Sequence, residues 1–161
     1  MSKFFDENSP GNDSGLRLRM RGEERRISSQ HKQLGDLFER TLDSVEAIGP
    51  RKALGDFLLF QTALEAHMSV EEDIYFPALH GLRNDVKDEL VELVEEHREI
   101  RIALENVKYL MSRSVDHEAK MALIELANRI EQHEEQEENL LARITEGPLT
   151  SFGHTSLDSD S

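Results

Sequence analysis

Four stretches of this chain repeat apolar residues at three- and four-residue steps, each for about 25 residues, with only short turn-forming segments between them. The first runs from about Glu23 to Ala47, with Ile27, Leu34, Leu37, Phe38, Leu42 and Val45 in step. Ile48-Gly49-Pro50 ends it: glycine suits a left-handed C-terminal cap and proline the start of the next helix. The second runs from about Arg51 to Tyr75 with Leu54, Phe57, Leu58, Leu64 and Val70, and Pro77 and Gly81 are expected to close it. The third runs from about Asn84 to Met111, with Leu90, Leu93, Val94, Ile100, Leu104, Val107 and Leu110. After a turn at 112–116, the fourth runs from about His117 to Ile144 with Leu123, Leu126, Ile130, Leu140 and Leu141, and Gly147-Pro148 comes after it. No segment alternates as a half-buried strand does. Rods roughly 40 Å long joined by short turns must run antiparallel to their neighbours. The expected fold is all-α, an up-down-up-down antiparallel four-helix bundle over residues 23–146. An N-terminal tail (1–22) and a C-terminal tail (147–161), both expected to be disordered and flexible, flank it; their ends are rich in Ser, Gly, Asn and Asp and lack periodicity.

This frame gives the histidines meaning. Four of the seven fall inside helices, one per helix: His31, His67, His97 and His133. His31 and His67 lie about 18 residues to either side of the first turn, and His97 and His133 are spaced similarly about the third, so antiparallel neighbours hold them at one depth. Glu71 follows His67, and Glu137 follows His133, at the four-residue step that puts both side chains on one helical face. A second acid comes next in each case, Glu72 and Glu138. The interval from His31 to His67 equals that from His97 to His133, so the chain reads as two similar hairpins. Glutamate is common here, and one His-x-x-x-Glu alone would mean little. Two such pairs, four histidines at one level and a repeated interval together indicate a metal site of pseudo-twofold form. Without a cation, that many imidazoles and carboxylates facing one core would cost several kcal/mol.

Imidazole and carboxylate donors without thiolate suit iron, manganese or zinc. Six donors on four helices favour two metals with open positions over a closed four-ligand zinc site. Ferritin-like bundles place Glu three residues before His. Here those positions hold Ser28, Leu64, Val94 and Ile130, which argues against that arrangement.

Composition narrows the rest. The chain has no cysteine, which excludes disulfides and thiol chemistry. Its net charge of −14 disfavours nucleic acid and anionic membrane as partners. No apolar run is long enough to span a bilayer and no signal-like start is present, so a cytoplasmic location is expected. Arg17, Arg19, Arg21, Arg25 and Arg26 form the one basic cluster, read as a solvated helix lead-in in preference to a docking arm.

The stretches HMSVEEDIYFPAL (67–79), HEEQEENLL (133–141), EEH (95–97) and SSQHKQL (28–34) together resemble the hemerythrin-like family, the HHE cation-binding domain, over about residues 25–145. The resemblance implies two non-haem irons, His31 and His67 on one and His97 and His133 on the other, bridged by Glu71 and Glu137. Oxygen-carrying members have a further histidine one turn after that of the third helix; here that position is Arg101, a permanent cation that cannot ligate metal. It would orient an anionic ligand or extend outward, and Glu134 is a candidate substitute donor.

The expected function is binding or sensing of a small ligand (dioxygen, peroxide or nitric oxide) at the iron centre, or iron handling. The alternative is iron storage with ferroxidase-like or peroxide-consuming activity. Residues 149–157 weakly resemble short C-terminal peptides that target cargo into encapsulin shells, and an uninvolved tail is the simpler reading. His80, His117 and His154 are assigned no ligand role, and Tyr75 and Tyr109 are not placed near metal.

Overall fold

The computed structural model describes residues 13–113 and 115–146. Every element among them is helical, with no strand: α1 (Asp13–Ile48), α2 (Leu54–Val70), α3 (Phe76–Leu82), α4 (Lys87–Ser112) and α5 (Asp116–Glu146). A π-helical turn, Glu71–Tyr75, joins α2 to α3 without a break, and a short 3₁₀ turn, Asn84–Val86, leads into α4. The chain therefore makes four rods. The tail 147–161, including the possible shell-targeting peptide and His154, lies outside the described residues, as do residues 1–12.

α1 packs on α2 and α5, and α4 packs on the same two helices. Between α1 and α2, Gln30 meets His67 and Ser44 meets Asp56. Between α4 and α5, Glu89 meets Arg143 and Glu99 meets Arg129. In both pairs one partner advances along the chain as the other retreats, which is compatible with antiparallel neighbours. Gly49 caps α1 with φ of 90° and donates its N–H to Val45 O at 2.9 Å, the left-handed cap expected of glycine there.

Two boundaries differ from the sequence expectation. α1 begins at Asp13, so residues 13–22 are helix and not tail. That stretch is arginine-rich with few apolar residues; arginine favours helix well, but without a stripe of core positions the segment shows no periodicity to read. Pro77 does not end the second rod. The N–H of Phe76 bonds back to Glu71 O, five residues earlier, and Pro77 then falls in the first turn of α3, where a missing N–H is harmless. Leu58, expected inside, is 39% exposed, while Phe60 and Met68 take up core positions at 1%.

The core has two parts. One cluster, on the side of the first and third turns, includes Leu34, Phe38, Phe57, Phe60, Leu64, Ile100, Leu104, Leu123 and Ile130. The other includes Ile27, Tyr75, Phe76, Leu79, Leu90, Leu93, Leu140 and Ile144. Each fully buried large side chain contributes about 1.5–3 kcal/mol. Between the two clusters lies a layer of buried polar residues.

Candidate metal centre

The polar layer contains His31, His67, Glu71, His97, His133 and Glu137, all buried. Their donor atoms converge in two overlapping groups: His31, His67, Glu71 and Glu137, and Glu71, His97, His133 and Glu137, each within 4.8 Å. Glu71 and Glu137 belong to both. Glu71 reaches His67 Nε2 at 2.9 Å with one oxygen and His97 Nε2 at 3.0 Å with the other. Glu137 reaches His31 Nε2 at 2.9 Å and His133 Nε2 at 3.6 Å, again with different oxygens. The six residues singled out from sequence are thus brought together; His80 and His117 are exposed on the surface. Tyr109 is also exposed, and Tyr75 is buried in the second core cluster.

Each imidazole presents Nε2 inward because its Nδ1 faces an acceptor. His31 Nδ1 meets Glu138 at 2.7 Å, His67 Nδ1 meets Gln30 at 2.7 Å, His97 Nδ1 meets Glu72 at 2.6 Å and His133 Nδ1 meets Glu96 at 2.7 Å. An oxygen acceptor places the proton on Nδ1 and leaves the Nε2 lone pair free to bind a cation. Two consecutive acids grip one ring in each half, Glu71 and Glu72 at His97 and Glu137 and Glu138 at His31, and Phe76 stacks on the His97 ring at 5.7 Å. Sequence spacing marks Glu72 and Glu138 only as second acids and gives Gln30 and Glu96 no role. A signal for the latter two is nonetheless present: each stands immediately before the histidine of α1 or α4.

The inner layer is poorly satisfied by the protein itself. Both oxygens of Glu71, both of Glu137, and Nε2 of His97 and His133 are buried and make no well-aligned hydrogen bond, although carboxylate and imidazole face one another at 2.9–3.6 Å. Orphaned buried polar atoms are costly, and a cation is the chemistry that would satisfy all of them together. The donor set fits a metal of the imidazole- and carboxylate-binding kind.

Titration behaviour reflects the same crowding. Burial opposes charge on His31, but Glu137, Glu134 and Glu138 outweigh it and raise His31 to about 9. Burial lowers His67 to about 4, with the other three imidazoles adding to the effect against Glu137. Burial and the neighbouring Glu137 push Glu71 well above the usual carboxylate range. Burial would raise Glu137 as well, but hydrogen bonding to His133 and His31 holds it below that range. His133 is raised by its Glu137 and Glu96 contacts against burial; His97 is lowered by burial and by His133. Without a cation, the crowding therefore favours the protonated forms of His31, His133 and Glu71.

Arg101 does not enter the donor layer. Its Nε donates to Glu65 and its Nη1 to Glu72, each at 3.0 Å, so it braces the partner of His97. Glu134 stands outside the two donor groups. Burial, reinforced by Glu137 and Glu138 against His31, raises its pKa to about 7.

No helix among the described residues is long and apolar enough to cross a membrane. No curated protein and no solved structure matches the chain. The family model of the hemerythrin HHE cation binding domain matches residues 24–144, a span that holds all four rods and every donor in the layer. The chain belongs to the hemerythrin HHE cation binding domain family.

Proposed function

We propose that the chain is a non-haem di-iron protein that meets a small ligand, dioxygen, peroxide or nitric oxide, in the core of an up-down-up-down bundle. His31 and His67 would hold one iron and His97 and His133 the other, with Glu71 and Glu137, which belong to both donor groups, shared between them. The observation that carries this reading is the convergence of six buried donors in two overlapping groups, with the inward atoms of Glu71, Glu137, His97 and His133 left without a hydrogen bond. Ferrous iron supplies electrons to a bound ligand; the chain does the rest. The Nδ1 partners fix the imidazole tautomers, the two apolar clusters limit water, and a cation would compete with the proton that crowding favours on His31. The test is iron per chain and the visible charge-transfer bands after aerobic oxidation. Two irons with such bands are expected; full occupancy by zinc without bands would end the proposal.

A second reading, iron exchange or peroxide turnover, is favoured by one observation. Arg101, at the position of a further histidine in oxygen-carrying members, is committed to Glu65 and Glu72 and gives the centre no donor. Fast loss of iron to a chelator, together with peroxide consumption, would select it over stable ligand binding.

A further inference from the structure

The two hairpins correspond position by position. His31 and His97 stand 66 residues apart, as do His67 and His133, Glu71 and Glu137, and Glu72 and Glu138. The same step carries the seam between α1 and α5 onto the seam between α4 and α2: Gly35 onto Arg101, with Glu65 moving to Glu131 and Met68 to Glu134. The two seams are built differently. Across α2 and α4, the guanidinium of Arg101 spans Glu65 and Glu72, Gln61 donates to Glu105 at 2.9 Å, and Met68 fills the space beneath at 1% exposure. Across α1 and α5, Gly35 offers no side chain and an acid stands at the methionine's position. A cavity of about 190 Å³ opens there, walled by Leu34, Phe38, Phe60 and Ile130 and touching Gly35 and Glu134.

The backbone does not require glycine at position 35: it is helical, and a Cβ added there would meet nothing within 4 Å. What its lack of a side chain does is leave the seam unfilled. The cavity adjoins the donor layer, since Leu34 lies one turn after His31, Ile130 one turn before His133, and Glu134 is the next residue after His133. Its apolar walls suit an uncharged molecule, and the carboxylates of Glu39, Glu131 and Glu134 around it repel anions.

We propose that the α1–α5 seam is the entrance by which a small uncharged ligand reaches the donor layer, and that Gly35 is the residue that keeps it open. This rests on the di-iron reading above. Gly35→Arg is the informative variant because Glu131 and Glu138 already stand where Glu65 and Glu72 flank Arg101, so the new guanidinium finds the same two acceptors. Gly35→Leu closes the seam without adding charge. Both replace an exposed helical glycine by a better helix former, so folding is retained, as circular dichroism would verify.

The experiment has two arms. In the ferrous, iron-loaded protein, stopped-flow mixing with nitric oxide should show association slowed about tenfold or more in both variants, with iron content unchanged in both and the final spectrum unchanged in Gly35→Leu. In the metal-free protein, xenon should shift the methyl resonances of Leu34 and Ala127 in the wild type and not in Gly35→Arg. Wild-type association rates in both variants would overturn the entrance and leave the di-iron reading standing, as would xenon shifts that survive Gly35→Arg. A wild-type protein that takes up iron yet reacts with neither nitric oxide nor dioxygen would overturn the functional reading, and the entrance with it.

Discussion

In the first hairpin His67 leans on Gln30, a neutral amide; in the second, His133 leans on Glu96, a carboxylate, at the same 2.7 Å. The other pair is also unequal. His31 leans on Glu138, which is 41% exposed, whereas His97 leans on Glu72, which is 24% exposed and neutralised by Arg101. The inner donors repeat between the halves, two imidazoles and the shared carboxylates, while the outer partners do not. Ligand count is thus set by the repeat, and basicity by where the repeat is broken. A carboxylate behind an imidazole makes it a stronger donor; an amide, or a carboxylate tied to arginine, does so less. Each half pairs one strongly backed imidazole with one weakly backed imidazole, but in opposite places along the chain.

The sharpest way to break the comparison is to remove what the halves share. Glu137 and Glu71 each belong to both donor groups. Glu137→Ala should therefore reduce metal content from two per chain to less than one, and Glu71→Ala should do the same. His67→Ala, which touches one group only, should leave one metal bound. Elemental analysis of the three variants checks this. Retention of one full equivalent in Glu137→Ala would mean that the halves are independent sites and that the carboxylates do not bridge.

A smaller effect separates the two imidazoles of the first half. His31 is raised to about 9 in the folded chain, so it holds its proton more tightly there than when unfolded. In the metal-free protein its contribution is complete below about pH 6.5 and is lost as pH rises through about 9, a change of about 3 kcal/mol. His133 is raised too and slopes the same way. His67, lowered to about 4, acts in the opposite sense: its contribution is present above about pH 6.5 and is lost as pH falls toward 4. Metal must displace the proton of His31, so metal affinity should rise over the alkaline range in which metal-free stability falls. Melting temperatures at pH 6.5 and 9, with and without metal, test this. The metal-free midpoint should drop, and His31→Gln should flatten most of that slope. An unchanged midpoint in the metal-free wild type would show that His31 is neutral in the fold.

The parts of this centre that were legible in the sequence share one physical property. A helix converts spacing into direction, so the four histidines and Glu71 and Glu137 could be placed on inward faces from residue numbers alone. The rods were legible for the same reason wherever an apolar stripe existed, and α1 ran ahead of its stripe where there was none. The π turn was not legible: proline ordinarily ends a helix, and only the observed bond from Phe76 to Glu71 shows the extra residue that carries the rod past Pro77. The outer partners were hidden differently. Gln30 and Glu96 act on the neighbouring helix, and Arg101 acts on carboxylates of the preceding rod. Such contacts depend on side-chain rotamers and helix rotation, which periodicity does not fix.

The smallest expected effect restores symmetry where the repeat is broken. Gln30→Glu places a carboxylate behind His67, as Glu96 stands behind His133; Glu96→Gln does the reverse. Chelator competition should show the first variant binding metal about tenfold more tightly at its weaker step, and the second about tenfold more loosely. The added charge also raises His67, but from about 4, so at pH 7.5 that ring remains neutral and proton competition does not cancel the gain. Glu96 has a second acceptor role, since the amide of Gln136 is within 2.9 Å of it, and Glu96→Gln therefore disturbs a contact that Gln30→Glu does not. The double variant separates the two effects. If backing charge alone tunes affinity, exchanging amide and carboxylate between the hairpins exchanges which half binds more tightly and leaves total metal uptake unchanged. If the swap lowers uptake in both halves, the outer residues act by positioning the rings, and the charge difference between Gln30 and Glu96 is incidental.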